Sequence, residues 1–316
     1  MSKKILVVGG TGFIGSHLVS QLIKDNYQVR VLSRKAPVST NHTFENVEYL
    51  SGSFLALDCV KKALTDIDIV YHLAVTTTPG SSNDQILYDA QTNLMGSLNL
   101  IQVSAEANVS RFIFVSSGGS VYGPTKAELI SETTPTNPIS AHGVSKLAIE
   151  KYLEIYRRQF GLDYRIARAG NPYGERQNIE KGQGFIAYAM QQIAQNKEIT
   201  VWGDGSVVRD FFYVEDLVDA LRLMLDDEES HKTYNVGSGQ GLSLNEIIES
   251  LREITHQQIP VTYQEGRPAD VPYNALDISR ISSTLGWTPK ISLTTGLARC
   301  WSTLKTPSDV INIAEN

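Results

Sequence analysis

Gly9-Gly10-Thr11-Gly12-Phe13-Ile14-Gly15 is the segment whose residue types and spacing most directly suggest chemistry. It follows the apolar run 5–8 and opens a helical pattern with Ile14, Leu18, Leu22 and Ile23 on one side. In that setting Gly9 permits a tight turn and Gly12 lets backbone N–H groups approach a pyrophosphate. Gly15 allows close helix packing. The helix start at Phe13 and Ile14 adds the positive potential of a helix N-terminus, so the segment reads as a dinucleotide site. After the next run, 28–32, a carboxylate would bond the adenosine ribose of NAD, but the chain has Ser33-Arg34. A hydroxyl and a guanidinium suit a 2′-phosphate, which tilts the cofactor toward NADP, with NAD the alternative.

These residues need a parallel sheet to hold them. The first half alternates short β-branched runs at 5–8, 28–32, 69–73 and 112–116 with amphipathic stretches at 13–26, 60–64 and 85–107. Such alternation predicts strands crossed over by helices on both faces, a doubly wound α/β fold. A long helix over 141–160 then feeds a strand at 164–167. The second half is glycine-punctuated, with a loop over 170–184, a helix over 185–195, a strand at 199–202 and a turn at 203–206. A helix over 215–225 follows, and Ser243 with Glu246 makes a capping box for another. No linker separates the halves, so a smaller α/β lobe is expected to interleave with the first. The expected Rossmann lobe takes 1–169 plus about 212–236, and the second lobe takes about 170–211 and 237–316.

Composition excludes other classes. The 316 residues carry 34 acidic against 28 basic side chains, a net charge of −6 that argues against a nucleic-acid footprint. No apolar run approaches the length of a membrane span, and the stretch after Lys3-Lys4 breaks at Gly9-Gly10, too soon for a signal peptide. Cys59 and Cys300 are too few and too far apart for a disulfide framework or a metal knuckle. A cytoplasmic protein without a metal site is expected.

With the glycine loop stand Tyr71-His72-Leu73-Ala74, Asn93 in Asn93-Leu94-Met95-Gly96, Ser116-Ser117 with Val121-Tyr122-Gly123, and Lys146. Further on come Arg168, Asn171-Pro172-Tyr173-Gly174, Arg209-Asp210-Phe211, Asn235-Val236-Gly237, and Arg267 with Asp270. Together these motifs resemble the extended short-chain dehydrogenase/reductase family, in its branch of sugar-nucleotide epimerases and dehydratases, over nearly the whole chain. The resemblance implies that Leu73, Ala74, Asn93 and Lys146 join the glycine loop in holding the cofactor. It also implies a nucleotide sugar in the second lobe. Arg209 and Arg267 would clamp the diphosphate, Trp202 would lie near the base, and Asn171 would contact the substrate. Asn274 would shape the hexose pocket and leave room for a 2-acetamido group.

In that family a tyrosine four residues before the lysine moves the proton of the sugar hydroxyl while hydride moves to or from the nicotinamide. Here His142 stands in the tyrosine's place, four residues before Lys146. The family's catalytic hydroxyl falls on Gly118, leaving Ser117 and Ser120 nearest. Imidazole, with a reference pKa of about 6.5 depressed further by Lys146 and an oxidised nicotinamide, is expected to be neutral and comparable in basicity to the activated phenolate. It is shorter than phenol by roughly 2 Å.

The resemblance thus implies a 4-epimerase acting on a UDP- or dTDP-hexose through His142, Lys146 and Ser117. The alternatives are an NADPH-dependent 4-keto-sugar reductase and a non-catalytic binding protein disarmed at His142 and Gly118. Gly118-Gly119 replaces the Asp-Glu pair of the dehydratases, which disfavours water elimination. The helices over 85–107 and 141–160 carry Leu94, Leu98, Ile101, Leu147, Leu153 and Tyr156, an apolar surplus that predicts a homodimer.

Overall fold

Residues with β-branched and aromatic side chains dominate six runs that become parallel strands, because a strand buried on both faces tolerates little else. The computed structural model describes residues 3–34, 44, 46–177, 184–266 and 271–305. Its strands are β1 (Lys4–Val8), β2 (Gln28–Ser33), β3 (Val47–Ser51), β4 (Ile69–His72), β5 (Arg111–Ser117) and β6 (Asp163–Ala169). They continue with β7 (Asn171–Tyr173), β8 (Ile199–Trp202), β9 (Val208–Arg209), β10 (Phe211–Tyr213), β11 (Thr233–Val236), β12 (Leu242–Ser243) and β13 (Val261–Gln264). Seven form one sheet in the order β11-β6-β5-β4-β1-β2-β3. Every pairing in it is parallel, with Ile5 opposite both Val29 and Ile69. The order reverses at β1, which lies between β2 and β4, and a crevice therefore opens at the C-terminal end of β1.

The first-lobe helices are α1 (Phe13–Lys24), α2 (Leu57–Ala63), α3 (Pro79–Ser82), α4 (Ile86–Asp89), α5 (Met95–Glu106) and α6 (Ala141–Phe160). After them come α7 (Phe185–Ala194), α8 (Val214–Leu223), α9 (Leu244–Thr255), α10 (Ser279–Leu285) and α11 (Leu293–Lys305). One face of the sheet packs Leu18 and Leu22 of α1 with Leu217 and Leu221 of α8. The other packs Leu100 and Ile101 of α5 with Ile149 and Leu153 of α6. The second lobe has its own core, in which Met190, Val201, Leu251 and Trp301 meet.

Several expectations are corrected. The strand β3 was not foreseen, because its alternating Val-Glu-Tyr-Leu-Ser is only partly buried at the sheet edge. The helix expected over 85–107 is not one α-helix: a 3-10 turn (Asn83–Gln85), α4, a π turn (Ala90–Leu94) and α5 follow one another. The loop expected over 170–184 contains β7, which pairs in parallel with β10. Ile281 and Trp287, from the segment assigned to the second lobe, pack into the core of the first. The capping box is present, with Ser243 Oγ accepting from Glu246 N. Among the described residues no helix is long and apolar enough to cross a membrane.

Candidate active site

The glycine loop fills the crevice beside β1. Gly9 has φ +89°, and a Cβ there would lie 2.9 Å from the backbone nitrogen of Ala74, so only glycine fits. A Cβ on Gly15 would lie 2.2 Å from the carbonyl of Gly9, which fixes how closely α1 approaches the turn. Gly12 caps α1 without a side chain, leaving the helix start at Phe13 and Ile14 open toward a ligand. Leu73 N donates to Val8 O across β1 and β4, which sets Ala74 behind the loop. These residues fit the pyrophosphate of a dinucleotide. Ser33 closes β2, and Arg34 is exposed immediately after it.

One face of α6 carries the candidate chemistry. His142, Lys146 and Glu150 recur at helical spacing and are all buried. Ser140 caps the helix, its Oγ accepting from Gly143 N at 3.2 Å. Lys146 Nζ donates to Val115 O at 2.7 Å and lies 4.6 Å from the centre of the Phe114 ring. Burial lowers the Lys146 ammonium to about 7, against an upward pull from Glu150 and Asp89. Burial and, after it, Lys146 lower His142 to about 3, while Asp89 pulls the other way. The expectation that imidazole matches the phenolate in basicity is therefore corrected: an imidazole shut away from water beside an ammonium is a weak base.

The position on which the family's hydroxyl falls is crowded. Gly118 does not face the crevice, since a Cβ there would lie 2.7 Å from Leu276 Cδ1 and 2.9 Å from Arg168 O. A side chain at that position would require Leu276 and the Arg168 backbone to shift. Ser117, at the end of β5, supplies the nearest hydroxyl and donates to Ser120 Oγ at 3.1 Å. Gly119 leaves the space beside it open, with a Cβ position 3.6 Å from Asn171 Oδ1.

Asn171 Oδ1 is buried with no partner among the described residues, and so is Asn274 Oδ1. Each is an acceptor that a ligand hydroxyl or amide could satisfy. Asn274 is less free than expected, because its amide donates to Gly118 O at 2.9 Å. Asn93 acts as a brace: its Oδ1 accepts from Thr76 N at 2.8 Å, and its amide donates to Thr77 Oγ1 at 2.8 Å and Asp89 Oδ2 at 2.9 Å. Arg209 is half-buried, with Nη1 donating to Val271 O at 2.5 Å. Trp202 ends β8 and is 43% exposed. Arg267 and Asp270 lie outside the described residues.

The sequence reading missed Asp89 and Glu150. Glu150 receives Arg168 through Nη2 at 2.6 Å and Ser116 Oγ at 2.5 Å, which ties α6 to β5 and β6. Its signal was available, since it stands four residues beyond Lys146. Asp89 stands four residues before Asn93, but nothing in the spacing marked it as buried.

The model of the NAD dependent epimerase/dehydratase family matches residues 5–237. The chain belongs to that family. A putative UDP-glucose 4-epimerase of Methanocaldococcus jannaschii is 32% identical over 302 residues, covering 95% of this chain and 98% of that protein. Among solved structures, the UDP-glucose 4-epimerase of Thermotoga maritima with UDP-glucose superposes with a TM-score of 0.90 at 34% identity, covering 95% of this chain and 97% of that one. The UDP-glucose 4-epimerase of Thermus thermophilus in complex with NAD gives 0.90 at 29% identity, covering 96% and 99%. The family's sheet and glycine loop are those described above, and the chain is of the extended short-chain dehydrogenase/reductase type.

Proposed function

We propose that the chain is a sugar-nucleotide 4-epimerase that handles its proton through His142. The observation that carries the reading is the buried face of α6, where His142 stands one helical turn before Lys146 beside the end of β5. A dinucleotide bound at the glycine loop would take hydride from C4 of the sugar and return it. During oxidation the C4 hydroxyl releases its proton to the His142 imidazole, with Ser117 Oγ bonding the sugar oxygen. Lys146 holds the ribose edge and keeps the site positive. The 4-keto sugar would turn to present its other face to the returning hydride, and His142 would give the proton back to the C4 oxygen. UDP-hexoses are the proposed substrates, in keeping with the named relatives. Asn171 and Asn274 offer their side-chain carbonyl oxygens, Arg209 and Arg267 the diphosphate clamp, and Trp202 the stacking face.

The test is to incubate the protein with UDP- and dTDP-hexoses and follow product sugars together with cofactor absorbance. Interconversion of hexoses without net cofactor change supports the proposal. Stoichiometric loss of NADPH with a 4-keto sugar would replace it with a reductase, and neither change would leave a binding protein.

NAD is the proposed cofactor class, with the 2′-phosphate preference resting on Ser33 and Arg34. Arg34→Ala is expected to weaken NADP by about 1.5–3 kcal/mol, the worth of a charged hydrogen bond, and to leave NAD nearly unchanged. Isothermal titration with both dinucleotides decides it, and equal losses would place Arg34 outside the ribose site.

The proposed assembly is a homodimer through α5 and α6, but the residues differ from those first expected. Ile101 and Leu153 are fully buried in the sheet core, and Leu94 and Tyr156 pack against it. Helix rotation leaves a neighbouring stripe exposed, with Met95, Val144, Tyr152 and Ile155 at its centre. Light scattering is expected to give twice the chain mass of 34.8 kDa, and Met95→Glu with Ile155→Glu to halve it. A parent already at the chain mass would reject the dimer. Cys59 and Cys300 are both free thiols, in keeping with a cytoplasmic location.

A further inference from the structure

Replacing phenol by imidazole changes the charge arithmetic of the site. A tyrosine base is an anion that becomes neutral on taking a proton, so a neighbouring ammonium helps it. A histidine base is neutral and becomes a cation, so the same ammonium opposes it. A site built on His142 beside Lys146 therefore needs a negative charge close by.

The structure holds one. Asp89, fully buried at the end of α4, receives the hydroxyl of Ser145, the residue between Val144 and Lys146 on α6. It also receives the hydroxyl of Thr77 and, at 2.9 Å, the amide of Asn93 across the π turn. The Thr77 hydroxyl itself accepts from Asn93 Nδ2 at 2.8 Å, so its proton points at the carboxylate. All four side chains are buried, and Asn93 and Ser145 border the crevice that contains His142 and Lys146.

We propose that Asp89 is a positioning residue of the proton-handling group: it supplies the counter-charge against which His142 gains and loses a proton. The inference rests on the epimerase reading above. The other charged and titratable groups do not take this part. Lys146, on the same helix, carries the opposing charge. His72 on β4 borders the crevice, but burial and then Lys146 lower it to about 3, and its Nε2 is engaged with Ser97 Oγ at 2.7 Å. Glu150 is committed to Arg168. Asp89 alone of these acts to raise His142.

The role predicts a change of sign that a purely structural role does not. Asp89→Asn in the parent removes the charge that favours an imidazolium, and turnover of UDP-hexose falls by about tenfold, the worth of one pKa unit. In a His142→Tyr background the same change removes a charge that opposes the phenolate, and Glu150, the larger upward influence on Lys146, stays in place, so turnover holds or rises. A readout free of turnover accompanies this: the introduced phenol, followed in the unliganded protein by difference ultraviolet absorbance against the parent, titrates at lower pH once Asp89 is neutral.

Asp89→Ser, which also donates and accepts, is the second neutral variant should the asparagine not fold. Equal losses in both backgrounds, or a phenol whose titration does not move, overturn the proposal. If no variant turns over any hexose while the phenol still shifts, the epimerase reading fails and the electrostatic role of Asp89 stands.

Discussion

Turnover is expected to rise by about tenfold or more when His142 is replaced by tyrosine. Two physical deficits are repaired together. The parent imidazole, held near 3 by burial and Lys146, is a weak acceptor for a sugar hydroxyl proton, whereas an ammonium beside a phenol stabilises the phenolate. The phenol also reaches roughly 2 Å further on ordinary bond lengths. A misplacement of about 1 Å can cost on the order of a hundredfold, so reach alone could exceed the stated gain. The position borders a crevice lined by Ala74, Val75, Asn93 and Lys146. Steady-state epimerisation of UDP-glucose by parent and variant measures the effect. A slower variant would show that the site has adapted to imidazole.

Glu150→Gln is expected to destabilise the fold by about 3–5 kcal/mol, the typical cost of removing one partner of a buried ion pair. Glutamine keeps the volume, and its carbonyl can still accept from Ser116, so the substitution isolates the charge. Arg168 is buried against Tyr122, whose hydroxyl it meets at 3.0 Å, and would keep its full charge with no carboxylate opposite. The pair also joins α6 to β6, so its loss loosens the helix that carries His142 and Lys146. The Lys146 ammonium loses its strongest upward influence at the same time and titrates at still lower pH. Denaturant unfolding compares the two chains. A difference under about 1 kcal/mol would mean that Arg168 finds water or another acceptor.

How much the sequence revealed depended on whether a residue's partner was local. The glycine loop was legible because strand, turn and helix start are contiguous, and its three glycines meet the steric demands expected of them. The strands β1, β2, β4, β5 and β6 were legible because they are buried on both faces. The edge strand β3 was not, because half-burial dilutes the pattern.

The crowding around Gly118 was not legible because counting residues fixes a position along the chain but not what packs against it. Leu276, which does so, is far away in sequence. The outer stripe of α5 and α6 was missed for a related reason. Apolar periodicity marks the buried face, and Met95, Val144 and Ile155 lie a fraction of a turn away from it. Asp89 was invisible because its partners Thr77 and Ser145 come from separate segments.

The packing of Ile281 and Trp287 bears on how the chain is made. Both sit in the same core as Val7, Leu18 and Leu217, and Trp287 Nε1 donates to Asp216 O at 3.1 Å beneath α8. The sheet also awaits β11, which pairs with β6 only after the strands β7 to β10 have been synthesised. A nascent chain leaving the ribosome therefore carries the glycine loop early but cannot close the core behind it until Trp287 emerges, nine-tenths of the way along 316 residues. Vectorial, lobe-by-lobe folding is denied to it. The core that holds Val7 and Tyr71 is therefore completed only late in synthesis.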